Sequence, residues 1–232
     1  MSEYVGIDQL LRLEKGLKAW VHAKALVTAP LLEGKRVLDV GCGIGMFAGE
    51  FAKRGFEVTG IDTSQKCIEL ARERHKGIEF AVDDGLVMAK LKGRKPFDSA
   101  VLFDVLEHIE DQDSLLKNIR AGLADGGVLV MSVPAFQALY SRHDKNIGHF
   151  RRYSKKSLRA VLEKNGYRVE RMFHWNFIGM IGWLLVSRLL GRDPTEIASP
   201  LVNRAYSGLL KIESRITSPI GLSLIVKARK AA

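Results

Sequence analysis

Val37-Leu38-Asp39-Val40-Gly41-Cys42-Gly43-Ile44-Gly45 puts one acid inside an apolar run and then spaces three glycines at alternate positions. Glycines belong where a backbone must turn with positive φ, or where a ligand must approach without meeting a Cβ. A diphosphate-wrapping turn wants G-x-G-x-x-G. Here Met46 holds the place of the third glycine and Gly45 comes one residue early, so wrapping a pyrophosphate is disfavoured. Asp62 follows 21 residues after Gly41, at the end of a β-type run, Glu57–Ile61. A carboxylate at that place can accept two hydrogen bonds from a ribose diol. The plainer reading, an acid beside a helix N-cap at Ser64, loses weight once Asp62 is taken with the loop.

These residues need elements to position them, and the sequence supplies an alternation. Short β-rich runs at Arg36–Val40, Glu57–Ile61, Ile78–Val82, Phe97–Phe103 and Gly127–Val133 are separated by helical patterns at Met46–Arg54, Ser64–His75 and Asp113–Ala124. Five strands alternating with helices predict βαβ units and a parallel sheet covered on both faces, with ligands at the carboxyl ends of the strands. Tyr167–Phe173 and Leu222–Ala228 read as two further strands. The stretch between them is too long for a hairpin loop, so it must hold structure of its own. Ahead of the first strand, Leu10, Leu13, Leu17, Trp20, Val21, Ala25 and Leu26 recur at helical spacing. The expected organisation is one domain over 1–232: a helical cap at 1–32, a cofactor-binding core at 33–135, and an acceptor-side half at 136–232 with a helical insertion near 174–220.

The ordered motifs VLDVGCGIG, GID at 60–62, EFAVDDG at 79–85, FDSAVLFDVLEHIED at 97–111 and GGVLVMSVP ending at Pro134 together resemble the class I S-adenosylmethionine-dependent methyltransferases, strongly over roughly residues 30–135 and more loosely beyond. The resemblance implies a Rossmann-like α/β fold with a seven-stranded, mostly parallel sheet, its last strand antiparallel and helices on both faces. It implies S-adenosylmethionine as cofactor, with S-adenosylhomocysteine as product. Asp39 and the loop Gly41, Cys42, Gly43 and Gly45 match the part that holds the methionine portion. Asp62, with Thr63, matches the ribose-binding acid. Of Asp83 and Asp84 the second aligns better with the acceptor of the adenine amine, and Gly85 or Leu86 would offer an amide to the ring. Phe103 and Asp104 match the wall beside the sulfonium. The chemistry agrees: this cofactor has no phosphate, and VLDVGCGIGMFAGE holds no Lys or Arg to clamp one.

The acceptor side is written less clearly. Glu107 and His108 follow the fourth strand, at the edge where a substrate must sit. His108 reads either as a base, since a histidine titrates near neutrality, or as a helix cap. From His143 to Tyr153 polar groups crowd together. Arg151 and Arg152 fit a bidentate clamp on a carboxylate or phosphate, with His143, His149 or Tyr153 near the nucleophile; the alternative is a surface loop whose arginines pair with helix ends. Histidines and cysteines at ligand spacing are absent, so no metal is expected.

Charge and composition narrow the partners. Residues 1–130 hold 18 Lys/Arg against 20 Asp/Glu, residues 131–232 hold 18 against 6, so the net +10 sits in the C-terminal part. With the stripe Leu201, Ala205, Leu209, Ile212 and Ile216 opposite Arg204, Lys211 and Arg215, this suits a lid over a greasy acceptor, a peripheral contact with an anionic membrane surface, or a helix packed on the sheet or at a dimer seam. The expected reaction is methyl transfer to an O, N or C atom of a small, amphiphilic or anionic molecule. An RNA acceptor is the alternative within the enzyme class; an Asn-Pro-Pro-Tyr signature is missing after the fourth strand, where Phe103-Asp104-Val105-Leu106 stands. A non-catalytic cofactor-binding protein is the alternative outside it. Two cysteines cannot build a disulfide framework, and no signal-peptide pattern or 20-residue apolar run is seen, so a cytoplasmic protein without an obligate protein partner is expected.

Overall fold

The computed structural model describes residues 18–184, 208–210, 213 and 218–231. Strands Arg36–Val40 (β1), Glu57–Asp62 (β2), Glu79–Val82 (β3), Phe97–Phe103 (β4), Leu123–Pro134 (β5), Tyr167–Trp175 (β6) and Ser223–Lys230 (β7) form one seven-stranded sheet in the order β3-β2-β1-β4-β5-β7-β6. β1 pairs in parallel with β2 and β4, and β7 runs antiparallel to both β5 and β6. β1 and β4 are buried along almost their whole length, as strands covered on two faces must be.

Alternate residues serve opposite layers. Val37, Phe103, Val130 and Ile225 join Phe51 and Ile68 on one face, while Leu38, Leu102, Leu129 and Val226 join Leu116 and Leu158 on the other. Helices 18–28 (α1), Met46–Ala52 (α2), Gln65–Arg74 (α3), Gln112–Gly122 (α4), Arg142–Asn146 (α5), Lys155–Lys164 (α6) and Phe177–Trp183 (α7) complete the layers. Their starts follow local capping chemistry: Ser64 accepts from the Cys67 amide, Asp111 from Ser114 and Ser154 from Ser157.

One boundary moves. The helical pattern to Ala124 stops at Gly122, because Leu123 turns extended (φ −83°, ψ 142°) and pairs with Phe97, which lengthens β5 toward its start. Chain order reverses between β1 and β4, and their carboxyl ends open the crevice where open α/β sheets bind ligands. After β6, Asn176 caps α7 through the Gly179 amide, and Glu213 accepts from the amides of Phe177 and Ile178. Most of the insertion expected near 174–220, with Leu201, Ala205, Ile212 and Ile216, lies outside the described residues, as do residues 1–17 of the expected cap. No described helix is long and apolar enough to cross a membrane.

Candidate functional site

The loop after β1 is held from beneath. The amides of Gly41 and Cys42 both donate to the Ile61 carbonyl (2.8 and 3.0 Å), and the Gly43 amide donates to Asp62 Oδ2 at 2.8 Å. Gly41 has φ +72°, and a Cβ there would meet Val105 Cγ2 at 2.5 Å, so both conformation and close approach demand glycine. Asp62 also accepts from the Ser64 amide at 2.9 Å through Oδ1. Burial raises its carboxyl against those amide donors.

Asp39 lies below this loop with Oδ2 buried and without a partner. Burial first, and the Asp62 charge second, push its carboxyl up to about 7. A buried acceptor without a donor is costly in a lone protein, and it is what a ligand carrying positive charge or donors would satisfy.

The two acids after β3 separate by job. Asp83 is buried and accepts from the amides of Asp84, Ala89 and Lys90, capping the turn Ala89–Leu91. Asp84 is exposed and spends Oδ1 on the Leu86 amide. Of the pair, Asp84 is thus the one left to face a ligand. Gly85 packs under Leu115, where a Cβ would stand 2.6 Å from Cδ1.

At the end of β4, Asp104 is half of an ion pair. Asp104 has φ +54°, a conformation aspartate tolerates better than most residues. It accepts from Ser132 Oγ at 3.0 Å and lies 2.5 Å from Lys24 Nζ. Lys24, from α1, is fully buried, its ammonium 4.4 Å from the Trp20 ring centre and 5.3 Å from that of Phe103. Phe103 packs edge-on against Phe47 at 4.8 Å. The wall beside the crevice is therefore aromatic and close to neutral.

The acceptor side brings three candidates together. Glu107 is buried, with Oε2 unpartnered, and its carboxyl is raised by burial and by the Asp104 charge. His149 Nε2 stands 3.9 Å from Glu107 Oε1, and the His108 and His149 rings meet edge to face at 4.5 Å. Burial and the neighbouring His149 lower His108 to about 4, so its ring is neutral near pH 7. His149 Nδ1 is 3.0 Å from Asp144 Oδ1. Burial works to raise Asp144, yet bonds from His149 and Arg152 outweigh it and hold the carboxyl well below the usual range.

Other expected acceptor residues are placed elsewhere. Arg152 is buried and grips Asp144 through Nε (2.8 Å) and Nη2 (3.0 Å), so its fork serves the fold rather than an open pocket. Arg151 remains half-buried over the Phe150 ring. Tyr153 points inward, its hydroxyl donating to Gln112 Oε1 at 2.7 Å, and burial raises it beyond use as a base near neutrality. His143 is half-buried on α5. A hollow of about 380 Å³ lined by Arg36, Phe56, Thr59 and Phe97 lies at the amino ends of the strands, away from this chemistry.

A family model described as a methyltransferase domain matches residues 12–171, more than half of the chain. The chain belongs to that methyltransferase domain family. Among curated relatives, a ubiquinone biosynthesis O-methyltransferase of Coxiella burnetii is 36% identical over 116 residues, 48% of this chain and 49% of that protein. One of the same description from a Caulobacter strain is 34% identical over 103 residues, 43% and 41% of the two chains. The chain thus matches about half the length of these relatives or less. Among solved structures, a SAM-dependent methyltransferase from Archaeoglobus fulgidus superposes with a TM-score of 0.66 at 22% identity, covering 96% of this chain and 99% of that one. A SAM-bound magnesium protoporphyrin IX methyltransferase from Synechocystis gives 0.55 at 18% identity, covering 94% and 82%. At these identities the likeness is one of fold, and it agrees with the class I resemblance of the motifs.

Within this methyltransferase fold, sequence reasoning passed over Lys24, Trp175 and Asp144 as parts of the site. Lys24 carried a signal: it stands four residues after Trp20 and three after Val21, on the apolar stripe itself. Trp175 and His174, at the carboxyl end of β6, each keep a buried ring nitrogen without a partner, Nε1 and Nδ1. With Asp39 and Glu107, four of the five buried orphan side-chain atoms among the described residues belong to strand carboxyl ends or the turns that follow.

Proposed function

We propose that this methyltransferase-fold chain binds S-adenosylmethionine over the Gly41–Gly45 loop and transfers its methyl group to an oxygen of a small, amphiphilic hydroxyl compound. The observation that carries the reading is Asp39 Oδ2, buried and without a partner, beneath a glycine loop already tied to Asp62. These residues fit the cofactor: a cationic ligand without phosphate suits an acidic, Lys-free and Arg-free loop. When bound, S-adenosylmethionine supplies an electrophilic methyl on a positively charged sulfur.

The chain's own residues do the remaining work. Asp62 and Thr63 hold the ribose, and Asp84 with the Gly85–Leu86 backbone holds the adenine. Phe103 and Phe47 wall the crevice and exclude water. Because Lys24 neutralises Asp104, that wall presents little net charge to an incoming acceptor. Most of the acceleration comes from holding donor carbon and acceptor oxygen roughly 3 Å apart and aligned. His108, in the turn after β4 with its ring against His149, is our candidate to take the proton of the acceptor hydroxyl. Oxygen as the acceptor atom is supported by the O-methyltransferase description of the relatives, and an amphiphilic acceptor by the apolar α7 segment and the basic C-terminal half.

Calorimetric titration with S-adenosylmethionine tests the first part, with binding at one site expected. A screen of metabolite and lipid extracts for uptake of labelled methyl tests the second. Absence of cofactor binding by folded protein would end the reading.

A further inference from the structure

We infer that Lys24 sets how strongly the site prefers charged S-adenosylmethionine over uncharged S-adenosylhomocysteine, because its ammonium fills the wall in which the cofactor's sulfonium would otherwise be attracted. The inference rests on the methyl-transfer reading, which puts Phe103 and Asp104 beside that sulfur.

A wall of this composition is by itself a cation site. It offers the Asp104 carboxylate and the rings of Trp20, Phe47 and Phe103, two kinds of group that attract positive charge in a dry crevice. The chain's own cation already meets both. Lys24 Nζ lies 2.5 Å from Asp104 Oδ2 and 4.4, 5.6 and 5.3 Å from the centres of the Trp20, Phe47 and Phe103 rings. The Asp104 side chain is 35% exposed and that of Lys24 not at all. The carboxylate thus reaches the surface of the wall, while the cation that neutralises it stays inside. Ser132 Oγ donates to Asp104 Oδ1 at 3.0 Å and fixes the carboxylate from its second side.

Stability does not account for Lys24. Fully buried lysines are rare, and exchanging a buried ion pair for apolar groups is often neutral or stabilising. Position 24 continues the apolar stripe of Trp20 and Val21 on α1, where a methionine or leucine would avoid burying a charge. The contrast with β1 is direct: Asp39 Oδ2 is buried there without a partner, whereas the acid that follows β4 is given a cation from 80 residues away.

The two ligands differ by one methyl group and one positive charge, and that charge leaves sulfur as the methyl is transferred. Attraction to it stabilises the bound cofactor more than the transition state, and such binding does not speed the chemical step. Lys24 withholds this attraction. The consequence is a site that product occupies comparatively well, so that turnover follows the ratio of cofactor to product.

The test measures dissociation constants by calorimetry on the full chain. Its probes are S-adenosylmethionine, S-adenosylhomocysteine and sinefungin, which carries an amino group in place of the methylated sulfur. Lys24→Met leaves Asp104 charged at the surface of the wall, and the preference for S-adenosylmethionine over S-adenosylhomocysteine should rise about fivefold or more. Asp104→Asn leaves Lys24 without its counter-charge, and the preference should fall by a similar factor. Sinefungin should follow S-adenosylmethionine in both variants. Damaged packing would weaken all three ligands together and leave the ratio where it was, so opposite shifts identify charge as the cause. Circular dichroism checks the fold, and either variant decides the matter if the other does not fold. A ratio within about twofold of wild type in a folded variant, or sinefungin that follows S-adenosylhomocysteine, overturns this inference and leaves methyl transfer standing. Folded wild-type protein that binds none of the three sinks the methyl-transfer reading and this inference with it.

Discussion

The two sides of the crevice are built by different means. On the cofactor side, β1, β2 and their loops work at short range: the Gly43 amide meets Asp62 19 residues later, and Asp62 meets the Ser64 amide two residues on. On the acceptor side the partners come from far along the chain. Lys24 reaches Asp104 over 80 residues, and Tyr153 reaches Gln112 over 41. Each side leaves one buried carboxylate oxygen to be satisfied from outside, Asp39 Oδ2 and Glu107 Oε2, but only the acceptor side also ties its other acids to distant cations, Asp104 to Lys24 and Asp144 to Arg152. A site made of adjacent strand ends can be rebuilt by local sequence alone. A site made of distant pieces depends on the whole fold, and its residues carry structural as well as chemical duties.

The largest effect expected from this contrast falls on the acceptor side. Asp104→Ala strands the fully buried Lys24 ammonium and should destabilise the protein by about 3 kcal/mol, the low end of the cost of removing one partner of a buried pair, because Asp104 itself is 35% exposed. Urea unfolding measures it, and a loss below about 1 kcal/mol would show that Lys24 finds water or another acceptor. Next comes a pair of neighbours. Arg152→Met should cost about 3 kcal/mol because Asp144 loses its buried partner, while Arg151→Met should stay within about 0.5 kcal/mol. Equal effects would erase the distinction between the buried and the half-buried arginine.

On the cofactor side the effects are smaller and appear in pH and in binding. Asp39 has a folded-state value near 7, well above its ordinary 3.8. The folded state therefore binds its proton more tightly, and the associated stability is complete below about pH 4 and lost as pH rises toward 7. Asp39→Asn should remove that slope, so its stability relative to wild type should grow across the window and level off above it. Thermal melts at a series of pH values would show parallel curves if the idea fails. Asp62→Ala should weaken S-adenosylmethionine binding by about 1–3 kcal/mol, the cost of leaving hydrogen-bonding partners stranded, as read by calorimetry. Smallest in free energy, Arg151→Ala should raise the acceptor's KM several-fold with cofactor affinity unchanged.

Much of the fold could be read from residue order because its signals are local. The periodicities located all seven strands, two of them, β1 and β4, at their observed bounds. Leu123 was misassigned to a helix because its helical spacing with Ile119 and Leu116 continues the apolar face; only pairing with Phe97 reveals it as strand. Asp83 and Asp84 are alike in sequence, and their division into a buried cap and an exposed acid follows from where the chain turns at Ala89. Arg151 and Arg152 are likewise adjacent and chemically identical, yet Arg152 is buried against Asp144 and Arg151 only half-buried over Phe150.

By itself, the sequence determined the class of sheet, the glycine loop and the acids near the ends of β1 and β2, since each depends on steric and hydrogen-bonding rules acting within a few residues or one strand crossing. Tertiary structure alone decided that Lys24 neutralises Asp104, that Arg152 belongs to Asp144, and that Glu107 faces His149. Those outcomes depend on which distant surfaces become buried together. In a low-dielectric interior, burial is what turns an ordinary charge into either a fixed partner or an unmet demand.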